Sequence, residues 1–459
     1  MNLTETSLVK MASGSKHVYD ELSTHSLMIR LFRVEEAASG RLSIQLSTFT
    51  IDEDLPDYIA LSYTWEPHFP THVTQVNDGE LSIGHNLWEA LWTLVPLRGT
   101  FFWADQICIN QQRTHELNHQ VGFMHQIYNR ATTVLIWLGG ADERSDGAMQ
   151  FISYITAGNC DRPSDLCKCK HIERMDDVPE FTCQHHFGVY CPGSTAYQIL
   201  PSMSFPIREL FQRNYWSRVW VVQEIMFARN ILVKCGNWTI TWAQLELFFR
   251  WTTYSRQSDL HIWASRYLIP TEDYPPSFCS IIDMKENWGL KETWRPATLD
   301  LLEILRMCHK FECKLTLDRI YGLLGLVHRG ERLEVDYDLT PLKLFIAVLH
   351  HIVKHPLEDG WHRLGLKLWR ALQCGDSGVT YNQAIIMTFP GLADLYVLEF
   401  LEFFYHFNFS DRLLKRDFEA RLLREQTRSD RGRRPNKLKP RYKEMEPEPI
   451  TSHSDGEGQ

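Results

Sequence analysis

The sequence has no run of the roughly 20 apolar residues that a membrane-spanning helix needs. Its longest apolar stretches, around Val219 to Val222 and Leu395 to Phe404, are broken by Gln223, Glu224, Glu399 and Glu402. It also lacks a secretory signal, since MNLTETSLVKMASGSKHVYDE has no basic start followed by an apolar stretch. These two absences predict a cytoplasmic protein with no membrane partner. Positive charge is not in excess: the net charge is -9, so nothing in the overall balance attracts nucleic acid, and no nucleic acid partner is expected. The 11 cysteines fall into no paired CxxC pattern and read as free thiols in a reducing compartment. There is no internal repeat. What is present is an ordinary globular composition, 44% hydrophobic and 23% charged, over 459 residues, a length that suits two or three domains. Fifteen Trp residues are more than usual and either anchor a core or line a binding surface.

Between residues 27 and 157 strand-like runs alternate with helical ones. Tyr58 to Trp65 and Phe101 to Ile109 are rich in β-branched and aromatic residues, and Thr132 to Leu138 is almost continuously apolar up to Gly139 and Gly140. Buried parallel strands have this appearance. VTQVNDGELSI and ILVKCGNWTI read as hairpins, the second turning at Gly236 and Asn237. Asn86, with Glu89 three residues on, fits a helix cap ahead of Leu87, Ala90, Leu91 and Leu94. A second helix is expected from about Thr114 to Ala131 and a third from Asp142. The alternation predicts an α/β sheet whose ligand crevice lies at the carboxyl ends of its strands. Residues 160–193 dissolve into Cys, His, Pro and charge. The chain after about residue 410 carries a basic run, RSDRGRRPNKLKPRYK, and an acidic Pro-containing end, so disorder is expected there.

Several blocks, in this order, resemble a known family: IRLFRV at Ile29, IALSYTW at Ile59, NLWEALWTL at Asn86, FFWADQICINQ at Phe101, QVGFMHQIYNRATTVLIWLG at Gln120 and WSRVWVVQEIMFA at Trp216. They are similar to the fungal heterokaryon incompatibility (HET) domain. LTLDRIYGLLGL and VDYDLTPLKLF resemble the helical region that often follows it. Glu66 stands where family members usually carry Gly, and no Pro-Ser-Trp segment follows the VDY block. The resemblance predicts a HET domain over 27–250 with a Cys/His-rich insertion at 160–193, a mainly helical region over 251–410, and a charged, disordered tail over 411–459. It implies a mostly parallel, flavodoxin-like sheet flanked by helices, similar to the Toll/interleukin receptor (TIR) domain. It also implies a role in nonself recognition and programmed cell death. Because some TIR domains cleave NAD, it opens NAD glycohydrolase activity, with NAD as substrate, beside a second mechanism of self-association or assembly with protein partners.

The three strand ends would gather Ser62, Tyr63, Trp65 and Glu66 near Asp105, Cys108, Asn110 and Gln111, with Gly139 and Gly140 at the third. Such a group could hold a nucleotide, with Trp65 stacking on a base, Asn110 and Gln111 hydrogen-bonding, and the glycine backbone approaching phosphate. Equally, Trp65 could be core, and Asn110 and Gln111 could satisfy backbone groups in a tight turn. For glycosidic cleavage the candidate catalytic acid is Glu116. Helical spacing puts it at the border of an apolar stripe through Leu117, Val121, Met124, Tyr128 and Ala131, where partial desolvation raises a carboxyl pKa. The alternative is a solvated glutamate favouring the start of its helix.

His115 to His125 reads HELNHQVGFMH, which matches the HExxHxxGxxH zinc motif of metallopeptidases. That reading requires the helix to stop at Gly122, whereas the apolar stripe continues to Ala131. In an unbroken helix His125 lies about 15 Å along the axis from His115, too far to share one ion. The insertion residues Cys160, Cys167, Cys169, His171, Cys183, His185, His186 and Cys191 could fold around a zinc, but their CxC and CxHH spacing follows no standard pattern. No metal ligand or certain cofactor is assigned. Trp216 to Glu224 reads as a packing block in which Glu224 pairs a basic residue.

Overall fold

The computed structural model describes residues 15–23, 26–37, 40–53, 55–66, 71–156, 195–254, 274–287, 301–327, 332–353, 368–378 and 384. The described residues all belong to one compact unit that ends at Thr388. The insertion at 160–193 and the tail at 411–459 lie outside them.

The architecture is α/β: one nine-stranded mixed sheet with flanking helices. In chain order the strands are β1 (Met28–Glu36), β2 (Leu42–Thr50), β3 (Tyr58–Tyr63), β4 (Thr71–Val76), β5 (Gly79–Gly84), β6 (Phe101–Trp103), β7 (Thr133–Trp137), β8 (Ile231–Cys235) and β9 (Trp238–Thr241). In space they run β5-β4-β2-β1-β6-β3-β7-β8-β9. Only β6, β3, β7 and β8 form an unbroken parallel block. The expected mostly parallel sheet is therefore corrected to a mixed one. Three two-stranded units with short turns, β1–β2, β4–β5 and β8–β9, are antiparallel because a short connection permits no other pairing. The last two are the hairpins read from the sequence, and in their turns Asn77 and Gly236 adopt positive φ.

The helices are α1 (His85–Leu94), α2 (Asp105–Cys108), α3 (Thr114–Arg130), α4 (Glu143–Thr156), α5 (Thr195–Phe211), α6 (Val221–Phe227) and α7 (Trp242–Tyr254), followed by helices at Pro276–Asn287, Leu301–Met307, Asp318–Tyr321 and Pro341–Val353. Leu87, Ala90, Leu91 and Leu94 are buried, as their spacing predicts. Asn86 is not the cap expected of it, because the cap position falls on Gly84 and makes no side-chain bond. Asp142 does start a helix: its carboxylate accepts from the Ser145 and Arg144 amides at 2.7 and 3.0 Å, which lowers its pKa. Trp103, Trp137 and Trp216 are fully buried and anchor the core.

The mainly helical region after residue 274 packs directly on this sheet domain. Lys285 caps the end of α6 by donating to the Ile225 and Ala228 carbonyls at 2.8 and 3.0 Å. The Val219 amide bonds Glu312 O and the Glu312 amide bonds Ser217 O, at 2.8 and 2.6 Å. Gln223 donates to Tyr321 O at 3.1 Å. Gly325 lies so close that an added β-carbon would sit 2.7 Å from His125 Cβ and closer still to Gln223 Oε1, so only glycine fits. No helix among the described residues is long and apolar enough to cross a membrane.

Candidate functional site

Strand β3 comes first in sequence within the parallel block but sits between β6 and β7, so the chain passes to opposite sides of it. In an open α/β sheet that reversal leaves a crevice at the carboxyl ends of the two central strands, here β3 and β7. Ser62 and Tyr63 end β3, Trp65 and Glu66 follow it, Asp105 begins α2 just beyond β6, and Gly139 and Gly140 follow β7. Tyr63 OH and Trp65 Nε1 donate to the same Asp105 oxygen at 2.7 and 3.2 Å, joined by the Gln106 amide at 2.8 Å. Removal from water raises the Asp105 pKa, and these bonds and the nearby Arg218 charge oppose that rise.

The Trp216 to Glu224 block closes on the same place, although it lies more than 150 residues further along the chain. It is a 3-10 turn at Asn214–Ser217, an extended Arg218, and then α6, rather than one continuous helix. This geometry turns Glu224 inward. Ser62 Oγ hydrogen-bonds the Glu224 carboxylate and lies 2.6 Å from Tyr215 OH. Arg218 donates to the Tyr63 carbonyl. Burial pushes the Glu224 pKa up to about 7, against the opposing pull of Arg218 and Ser62. Ser62, Asp105, Arg218 and Glu224 therefore form one polar box, walled by Tyr63, Tyr128 and Tyr215. Burial raises the pKa of all three phenols, which stay protonated donors. Chemically the box can hold a proton on Glu224 near neutral pH. Ser62 and Glu224 are only 1% and 4% exposed, so it cannot receive a bulky ligand as it stands.

Asn86 bridges the crevice, donating to Thr64 O and accepting from Trp137 Nε1, both at 2.8 Å. Gly139 has φ +105° and Arg213 lies against it, donating to Leu138 O at 2.6 Å and Gly140 O at 3.2 Å. Gly140 faces the Glu89 carboxylate. The glycine backbone is thus approached by the protein's own Arg213 and Glu89. At the mouth stands half-buried Glu66, its pKa raised by burial and by Glu89 and drawn down by His85 and Arg213. His72 stacks on Trp88 at 4.2 Å and bonds His85 at 2.8 Å.

Residues 58–224, which include the crevice residues from Ser62 to Glu224, match the family model of the heterokaryon incompatibility protein (HET). The chain carries a heterokaryon incompatibility domain. It is 25% identical over 391 residues to heterokaryon incompatibility protein 6, OR allele, of Neurospora crassa, covering 78% of this chain and 57% of that protein. The chain thus spans just over half the length of this curated relative. No solved structure matches it.

Within the HET domain the remaining sequence-predicted residues lie away from the crevice. The Cys108 thiol is buried, with its pKa pushed up by burial. Asn110 Oδ1 accepts from the Gln112 amide at 3.2 Å and Gln111 donates to Asp105 O at 3.0 Å, so both side chains satisfy the backbone of a tight turn. Glu116 lies inside the buried face of α3 rather than at its border, because β1 supplies it with a partner. Arg30 grips its two oxygens at 2.6 and 3.1 Å, and the Asn110 amide adds a bond at 2.7 Å. Sequence reasoning missed Arg30, Asn86, Arg213 and the inward role of Glu224. Each acts through a partner distant in sequence, and only the side-chain chemistry of each was visible.

The HET domain does not assemble the HELNHQVGFMH residues around one point. Helix α3 continues past Gly122 with a kink at Phe123. His115 is exposed, His119 packs its ring on Phe123, and His125 is buried against Phe227 with Arg332 Nη1 2.8 Å from its Nε2. Glu116, the residue that would activate water, is committed to Arg30. Among the described residues no group of three or more His, Cys, Asp or Glu has a metal-holding arrangement.

Proposed function

We propose that this chain is a fungal incompatibility effector that acts in the cytoplasm in nonself recognition, with its HET domain as the part that triggers programmed cell death. The named Neurospora relative and the family match support this reading. The parallel block β6-β3-β7-β8 follows the strand order of flavodoxin-like sheets, which favours a TIR-like relationship and a nucleotide, NAD, at the crevice. The single observation that carries the proposal is the convergence of Trp65, Asp105, Gly139 and the Trp216–Glu224 block on the carboxyl ends of β3 and β7. In the enzymatic form, Trp65 stacks on a base and the accessible Glu66 carboxylate stabilises charge at the scissile ribosyl centre. Glu116 then supports the loop before α3 from its pair with Arg30.

A second mechanism, clustering without chemistry, is favoured by a different observation: the polar groups of the buried box are satisfied by one another. Incubation of the purified chain with NAD, with nicotinamide release as readout, separates the two. Release that Glu66→Ala abolishes supports the enzymatic form. Absence of release from protein forced to oligomerise leaves clustering. Release lost in Glu116→Gln but kept in Glu66→Ala returns the acid role to Glu116.

A further inference from the structure

Residues 15–23 lie across the loop that joins β6 to α3, and polar ties hold them there. The His17 amide bonds Glu80 O at 2.8 Å and the Glu80 amide bonds Ser15 O at 2.9 Å, which adds a short parallel bridge to the outer edge of β5. At the far end of β5 the Gln106 side chain accepts from the Gly84 amide at 3.1 Å, so this sheet edge is closed at both ends. Four further ties reach the loop or its neighbours. Lys16 Nζ donates to Gln112 Oε1 at 3.1 Å, and Tyr19 OH to Ile107 O at 3.0 Å. Glu21 pairs with Arg113 at 3.1 Å. Arg30 donates both to Asp20 O in the segment and to Cys108 O in the loop, and lies 4.8 Å from the centre of the Tyr19 ring.

Little apolar burial backs these ties. Leu22 is the one buried residue of the nine, and a cavity of about 310 Å³ lies beside the segment, lined by Lys16, His17, Tyr19, Arg30, Thr48 and Asp78 among others. A stretch with few buried apolar contacts and exposed hydrogen bonds opens at far lower cost than the core. Its seat is nevertheless specific. A β-carbon on Gly79 would lie 2.6 Å from His17 Cα and 2.8 Å from its amide nitrogen, so the segment lies down only because residue 79 has no side chain.

We propose that residues 15–23 form a detachable latch, seated by Gly79 and Arg30, whose release loosens the 105–113 loop. That segment begins at Asp105, which Tyr63 and Trp65 hold at the crevice, so the latch sets how firmly this one wall is held. Its functional meaning rests on the crevice being the working site, whereas its mechanical content does not.

Hydrogen exchange on the full chain tests the mechanics without any activity assay. In Gly79→Ala, the His17 and Glu80 amides should exchange at least about tenfold faster, and the Cys108, Ile109 and Arg113 amides of the loop should follow, while the β2 amides and β1 amides such as those of Leu31 and Val34 keep their protection. Tyr19→Phe, which removes one tie and no volume from the core, should speed the loop amides alone. The proposal is overturned if the His17 and Glu80 amides are unprotected in the unaltered protein, if Gly79→Ala leaves them unchanged, or if its effect spreads through β1 and β2. It is equally overturned if the loop amides ignore both substitutions. Failure of nicotinamide release would leave these rates untouched, so the two readings fail separately.

Discussion

Ser62 and Glu224 hydrogen-bond in the core, joining the end of a central strand to a helix 162 residues later in the chain. Burial makes the Glu224 carboxyl hold its proton more tightly, against the pull of the Arg218 charge. The contact ties the SYTW block to the VQE block, and it makes the protein's stability depend on pH.

Glu224 has a folded-state pKa of about 7 against an ordinary 4.5, so between those values the folded chain binds more protons than the unfolded chain. Its contribution is fully present below about pH 4.5 and is lost as pH rises through about 7. Urea unfolding of the unaltered protein and of Glu224→Gln at about pH 5 and about pH 8 should show a stability loss at the higher pH that the glutamine variant lacks. Parallel pH dependence in the two proteins would contradict the assignment.

Arg30 and Glu116 form a pair 2% and 5% exposed, and breaking one side of it strands a buried charge. Arg30→Ala and Glu116→Ala should each lower stability by about 3–5 kcal/mol, while the double variant should lose clearly less than the sum. Chemical denaturation of the four proteins measures the coupling. Simple additivity would mean that the two residues act independently.

Asn86→Ala should destabilise by about 1–3 kcal/mol although alanine is the better helix former, because it orphans the buried Trp137 indole N–H and the Thr64 carbonyl. Thermal unfolding monitored by tryptophan fluorescence checks this. A neutral or stabilising result would show that the bridge across the crevice contributes nothing.

Much of the fold was legible because hydrophobic period and turn chemistry are local. Strands β3, β6 and β7 announced themselves through apolar and aromatic runs, and Asn77 and Gly236 marked the β4–β5 and β8–β9 hairpins. The antiparallel pairing of β1 with β2 and β6 was not legible, since β1 and β2 carry no signal saying which strand they will pair with. The site was readable only in part. Ser62, Tyr63, Trp65, Asp105 and Gly139 were placed at strand ends correctly by topology. Asn86 looked like a cap because Asn followed by Glu at the third position fits one, yet its amide reaches across to β7. Glu116 looked like a border carboxylate because helical geometry cannot see Arg30, 86 residues upstream.

The seam at Gly325 bears on where this molecule can be divided. The family match ends at residue 224, but the Val219 amide and the Gln223 side chain donate to the Glu312 and Tyr321 carbonyls, and the C-terminal end of α6 is closed by Lys285. A polypeptide stopped at the end of the match would cut α6 short, leave the Val219 and Gln223 donors unanswered and uncover the buried ring of His125, which packs on Phe227. The evolutionary module and the physical folding unit therefore have different borders, and a recombination event that respects the first would still sever the second.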